Sequence, residues 1–249
     1  KIYPEYLASR NRATAQPRNL KAFLALFLLL LTFSGRIAGQ TTDCGQVYDI
    51  TVGTASISTI PNLNTWTPGK TIWVTGTLTV DQSITFDNLQ FIMKENSAII
   101  VSGANVVLTA QNGANFQGCK RMWWGITVQN GAAVKMTGAQ IKQAYAGLKF
   151  VPGANTSGSE LQNCFLEDNL FGLFAYNFSV SNPLKFGKFS GNTIQASINA
   201  LLSPPAGMTY DGVKPWRGIW LLNCNADLAT GASTFNKVKG YRYGMVASN

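Results

Sequence analysis

The chain has 249 residues, 24 of them glycine and 9 proline, with 46% apolar residues, only 12% charged ones and a formal net charge of +9. That apolar content supports one real core and excludes a disordered or collagen-like chain, while so few charges exclude a long charged helical bundle. Histidine is absent, which excludes Ser-His-Asp and Cys-His nucleophile systems, His-ligated zinc and a histidine general base.

Residues 22–33 read AFLALFLLLLTF, eleven apolar residues of twelve, preceded by Arg18 and Lys21 and followed by Ser34, Gly35, Arg36, Ile37, Ala38 and Gly39. This is the order of regions in a secretory signal peptide. Twelve residues at a 1.5 Å rise make about 18 Å, too short for a hydrocarbon core of roughly 30 Å, so no stable membrane span is expected after cleavage. The cut is expected after Gly39, with Gln40 as the first mature residue and residues 1–17 as a longer leader or an imperfect gene start. A secreted or cell-surface location follows. The leader carries Lys1, Arg10, Arg12, Arg18, Lys21 and Arg36 against one acid, Glu5. The mature chain therefore keeps 14 basic and 10 acidic residues, a net charge of +4. Its Lys and Arg are scattered singly, so a nucleic-acid partner is not expected.

Residues 40–70 read as an N-terminal cap and lead-in segment. From Thr71 onward short β-type runs follow one another at 71–75, 77–80, 83–86, 89–93, 98–102, 105–109, 125–128, 132–136 and 147–150, separated by Gly, Asn, Asp and Ser turn signals. No helical periodicity is sustained past two turns, which predicts an all-β chain. Even spacing suits a sandwich, a propeller or a solenoid, and internal repetition is the discriminator. A shift of 93 residues places Trp123 on Trp216, Gly125 on Gly218, Ile126 on Ile219, Asn130 on Asn223 and Gly147 on Gly240, with four further identities. A shorter pattern sets an apolar residue six to nine places before a Gly and another apolar residue: Ile141 to Gly147-Leu148, Phe165 to Gly172-Leu173, Phe235 to Gly244-Met245. Strand, turn, strand, Gly, strand is the reading of a parallel β-helix coil, and 93 residues would span several coils of roughly 20 to 30 residues with an insertion. The insertion is expected at residues 203–215, where paired prolines cannot donate to a ladder. Asn130 and Asn223 are candidates for an inward amide ladder at a corner.

Around Gly118, Cys119, Lys120, Arg121, Met122, Trp123, Trp124, Gly125, Ile126, Thr127 and Val128 the sequence resembles the opening coils of secreted right-handed β-helix proteins of the pectin-lyase-like superfamily. It resembles in particular the surface proteins that Bacteroidota export by the type IX route. The turn at residues 66–70 leading into TIWVTGTLTV, and then AIIVSGANVVLTA, is similar to their N-terminal ramp of short strands. The resemblance covers roughly residues 66–249 and implies a right-handed parallel β-helix over 71–249. Such proteins commonly end in a sorting domain, so a C-terminus missing from this chain is expected.

Enzymes of this architecture acting on acidic polysaccharides use Asp pairs for hydrolysis, or clustered Asp for calcium with Arg or Lys as base for elimination. The close pair here is Glu167-Asp168; strand alternation would turn the two to opposite sides, and a polar turn after Cys164, Phe165 and Leu166 is the plainer reading. Asp211 near Lys214 and Arg217 is the other acid beside a base, in an Asp-Gly turn context. Neither yields a catalytic assignment, and no metal or cofactor is expected, calcium entering only with the lyase alternative. Cys44, Cys119, Cys164 and Cys224 permit one or two disulfides of unknown pairing in an exported chain, while Cys164 and Cys224 also read as small buried hydrophobes. Alternation in Trp123-Trp124 must put one indole in and one out, and Trp216 and Trp220 share a face on a regular strand. Trp124, Trp216 and Trp220 are thus the candidates for stacking sugars, against core or cap packing as the plain alternative. The function expected is a surface scaffold or adhesin that binds glycans without catalysis, with a polysaccharide lyase or hydrolase as the alternative and a purely structural stalk as a third. The sequons at Asn155 and Asn177 would mark surface loops in a eukaryotic secretory route.

Overall fold

The computed structural model describes residues 40–197, 201–208, 216–228 and 235–248, and the expected signal peptide lies outside them. Runs of two to eight residues that alternate inward and outward side chains pair not with the next run but with the run one coil away, in parallel, because each coil turns before it can form a hairpin. The result is an all-β parallel solenoid of about seven turns with no α-helix among the described residues. Sheet 1 has eight strands, Ile50–Val52, Thr71–Val74, Gln90–Met93, Asn115–Gly118, Gln140–Lys142, Phe165–Glu167, Thr193–Gln195 and Lys237–Lys239. Sheet 2 also has eight, Ala55–Ser56, Thr77–Val80, Ala98–Ser102, Trp123–Gln129, Ala144–Phe150, Phe171–Phe178, Arg217–Cys224 and Tyr243–Ser248. Sheet 3 has five, Ile84–Asp87, Val107–Gln111, Ala133–Thr137, Glu160–Gln162 and Lys188–Ser190. The stack therefore begins at Ile50, inside the segment read as a lead-in.

Register makes the core a set of columns. In sheet 1, Ile72, Phe91, Phe116, Ile141, Leu166 and Ile194 are successive partners, all buried. Phe91 and Phe116 stack at 4.9 Å between centroids, which adds about 0.5–1.5 kcal/mol beyond the area they bury. Trp66, after the short 3-10 turn Leu63–Thr65, lies 5.9 Å from Phe86 and 6.1 Å from Phe91 and closes the N-terminal end of this interior. In sheet 2, Ile126, Leu148, Leu173 and Ile219 form one column. The 93-residue shift is thus three coils, and it matches Ile126 to Ile219 because they occupy the same inward position. Met245 continues that column in the last described coil and is 62% exposed, since no described strand lies beyond it.

A second column explains the shorter pattern. Gly147, Gly172, Gly218 and Gly244 follow each other in sheet 2, and a Cβ on Gly147 would meet the Gly172 carbonyl oxygen at 2.8 Å. Side chains have no room where adjacent backbones pass this closely.

The corners are turned by residues in the left-handed region. Asn88, Asn112, Gly138, Asn163 and Gly191 do so where sheet 3 passes to sheet 1. Asn130 and Asn223, expected to point inward, serve another corner instead, with φ of 54° and 49° and exposed side chains. Asn223 donates from Nδ2 to Asn177 Oδ1 at 3.1 Å, an amide rung on the outside of the coil. Asparagine tolerates the left-handed conformation better than other side-chain-bearing residues, and that demand, not inward hydrogen bonding, superposes the two. The inward amides are Asn169 and Asn192, both fully buried. Asn169 accepts from Ala144 N–H at 2.8 Å and donates to the Ile141 carbonyl at 3.0 Å; Asn192 accepts from Cys164 N–H at 3.0 Å and donates to Leu161 O and Asn236 Oδ1.

Of the four cysteines, Cys44 and Cys119 form a disulfide across 75 residues, while Cys164 and Cys224 are thiols. Cys164 sits in the core, where burial pushes its thiol up to about 11. Cys44 belongs to an antiparallel pair, Gln40–Thr41 with Val47–Tyr48, that packs on the outer side of sheet 1 over Trp73 and Ile92. Tyr48 stacks on Trp73 at 6.5 Å, and Lys94 Nζ reaches Asp43 at 3.3 Å.

An aromatic and cationic outer face as candidate functional site

Alternation along the strand Trp123–Gln129 divides its two indoles. Trp123 is fully buried, donating from Nε1 to the Lys142 carbonyl at 2.9 Å, and Trp124 points out with 36% of its surface exposed. On the outer side of sheet 2, Thr127, Lys149, Phe174, Trp220 and Val246 are register partners in successive coils. Phe171, Arg217 and Tyr243 form the neighbouring outward column. Rings from these columns touch in series: Trp124 with Tyr145 at 5.5 Å, Tyr145 with Phe171 at 5.3 Å, Phe171 with Trp220 at 4.9 Å, and Phe174 with Trp220 at 4.6 Å. Trp216, one residue before its strand, packs on Phe171 at 6.2 Å. All three candidate tryptophans thus belong to one outer face. Trp216 and Trp220 are half-buried and contact the small outer cluster of Met122, Ala146, Leu170 and Phe171.

The sequence reading missed Tyr145, Phe171, Phe174 and Tyr176, which supply most of this face. The run FGLFAYNF is aromatic on both sides of the strand, so alternation alone does not tell its outward rings from its core.

Cations lie on these rings. Arg217 stands 4.0 Å from the Trp220 centroid and 4.9 Å from that of Trp216; Lys149 stands 5.5 Å from Tyr176 and 5.9 Å from Phe174; Arg242 stands 5.5 Å from Tyr243. Burial pulls the Lys149 ammonium below its ordinary pKa. No strand of sheet 2 contains Asp or Glu, and none of the ion pairs among the described residues involves Lys149, Arg217 or Arg242. Arg217 Nε–H and Trp220 Nε1–H are both buried without a hydrogen-bond partner among the described residues. Each such donor costs about 1–3 kcal/mol until an acceptor reaches it.

One side of this face is bordered by residues 201–204, from the excursion between Gln195 and Trp216. Its described part reaches back to an earlier coil: Ser203 bridges Arg121, the Ser203 carbonyl accepts from Met122 N–H at 2.8 Å, and the Pro204 carbonyl accepts from Arg121 Nε at 3.1 Å. Leu201 and Leu202 pack on the same outer cluster as Trp216 and Trp220. The departure from the coil therefore starts before residue 203, where the prolines suggested it. Asp211 and Lys214 lie outside the described residues.

The acidic pair lies elsewhere, on sheet 1. Glu167 faces out of its strand, held by Lys142 Nζ at 3.0 Å and by Gln195 Nε2 at 2.5 Å. Asp168 follows with φ of 54°, so it turns a corner and strand alternation does not govern it. Its Oδ1 accepts the Ser197 N–H at 2.7 Å. Burial raises the Asp168 pKa, the neighbouring Glu167 charge adds to this, and the Ser197 hydrogen bond only partly offsets them. For Glu167 burial acts upward too, but the bonds from Lys142 and Gln195 outweigh it and its pKa falls. A cleft of about 270 Å³ opens beside Glu167, Ser197 and Lys239. Because ionised Asp168 is penalised in the fold, it costs stability above its raised pKa, and the cost fades as pH falls through that pKa and is gone below 3.8. Asp168→Asn keeps an acceptor and a residue suited to positive φ, so its melting temperature is expected to equal or exceed the parent's by about 1–3 °C. A drop in a thermal melt at pH 7 would show that the carboxylate's attraction to Lys142 prevails.

Among the described residues, no group of three Cys, Asp or Glu is placed to hold a metal ion, and no helix is long and apolar enough to cross a membrane. Compared with known proteins, the chain matches no family model, no curated protein and no solved structure.

Proposed function

We propose that the chain is an exported β-solenoid scaffold, of the kind its sequence resembles among secreted right-handed β-helix surface proteins, and that it retains glycans on the outer face of sheet 2. The observation that carries this reading is the unbroken series of rings from Trp124 to Trp220 across successive coils. Outward rings such as Trp124, Tyr145, Phe174 and Trp220, packed around buried Phe171, offer apolar faces to sugar rings at little entropic cost. The Cys44–Cys119 bridge fits the oxidising route that the leader implies. Trp124→Ala and Trp220→Ala are each expected to weaken retention on an immobilised glycan panel roughly tenfold, with the circular dichroism of the solenoid unchanged. Unaltered retention in both variants would remove the aromatic face from the function.

A second reading, a polysaccharide lyase or glycoside hydrolase, has one observation in its favour: Glu167 lines a cleft, and it and the adjacent Asp168 have pKa values moved in opposite directions, as an acid and its partner require. Release of reducing ends or unsaturated product that Asp168→Asn abolishes would favour it over the scaffold.

A further inference from the structure

We propose that the nook of about 390 Å³ lined by Trp216, Arg217, Arg242, Tyr243 and Val246, with Trp220 under the Arg217 guanidinium, is a subsite for an oxyanion, a carboxylate or a sulfate ester carried by a saccharide. The ligand class rests on the glycan reading of this face. The charge does not: it follows from the groups present. Arg217 lies over two indoles, whose faces attract the guanidinium and hold it in place. Its Nε–H and the Trp220 Nε1–H are both buried, and neither has an acceptor among the described residues. A second guanidinium, Arg242, stacks on Tyr243 in the same nook.

A lone sugar hydroxyl satisfies one donor and leaves two cations unbalanced on a sheet without a carboxylate. An oxyanion offers several acceptor oxygens and the missing negative charge together, and charge-assisted bonds to a guanidinium are about twice as strong as neutral ones. Among the described residues that line it, the nook has no carboxylate, so the anion is met directly by guanidinium and indole, not through a bridging calcium ion. Recognition is therefore expected to survive a chelator.

The test uses the full chain and matched polymers: dextran against dextran sulfate, and methyl-esterified against free polygalacturonate, each with and without EDTA. At least tenfold stronger retention on the charged member of one pair is expected, and which pair responds tells sulfate from carboxylate. Arg217→Met is expected to abolish that preference. Trp220→Phe keeps the ring and loses only the donor, so it is expected to reduce the preference three- to tenfold while the neutral polymer is held as before. Lys188→Met removes one charge from sheet 3, leaves Glu160 paired with Lys135, and is expected to change neither. Equal retention of both members of each pair would overturn the oxyanion subsite and leave the glycan face standing. Equal losses in Arg217→Met and Lys188→Met would overturn it too, as net charge alone, and so would loss of the preference in EDTA. Retention on no polymer at all would overturn both readings.

Discussion

Replacing Cys119 with serine is expected to lower the unfolding free energy by about 4 kcal/mol, the chain-entropy value for a bridge closing 75 residues. For a chain of this size that is a fall in melting temperature of roughly 8–16 °C. Two effects add in the same direction. The unfolded chain gains freedom, and the hairpin that carries Cys44 loses its tether, uncovering Trp73 and Ile92, which are otherwise 6% and 8% exposed. Reductant applied to the parent is expected to reproduce the variant, because no other described pair of cysteines is bridged. A shift under about 1 kcal/mol in thermal melts of both would mean that the hairpin's own contacts, Tyr48 on Trp73 and Asp43 with Lys94, hold it in place without the bond.

Gly172→Ala is expected to cost about 3 kcal/mol, the upper part of the range for overpacking a site that cannot relax. A Cβ there would lie 2.5 Å from the Gly218 carbonyl oxygen and collide with the Ile194 side chain. Neither neighbour can retreat: Gly218 is within a ladder-bonded strand and Ile194 is in the core column of sheet 1. Gly138→Ala is the contrast, since nothing lies within 4 Å of its Cβ and only its φ of 63° opposes a side chain, for about 1–2 kcal/mol. Melting temperatures of the two variants that coincide would mean that the coils part easily at Gly172, and the close approach of backbones would no longer explain the repeated glycine.

The parts of this fold that were legible in the sequence are those imposed by stacking. Ile126 and Ile219 could be matched without a structure because one inward position recurs in every coil, and Gly147, Gly172 and Gly244 because one backbone approach does. The strands at 115–118 and 140–142 were not read, since with only one or two buried apolar residues each they carry no alternation long enough to see. Asn130 was read to the wrong side for a related reason: an asparagine that turns a corner and one that bonds inward look the same in a sequence. The disulfide pairing had no local signal at all, as Cys44 and Cys119 meet only once three coils have been wound. At the candidate site, Trp124 was legible from a single alternation, whereas the placing of Lys149 over Phe174 and Tyr176 comes from register across coils, which no local pattern contains.

Coil length has a consequence for how such a chain can change. Paired residues in sheet 1 are 25 apart from Gln90 to Asn115, to Gln140 and to Phe165, yet 44 separate Thr193 from Lys237, and the columns stay in register. The extra residues of the long coil fall between the strands Thr193–Gln195 and Arg217–Cys224, and those two strands keep their register. Lineages can therefore lengthen, shorten or exchange that segment without renegotiating the interior, and a designer can graft a foreign loop at the same place.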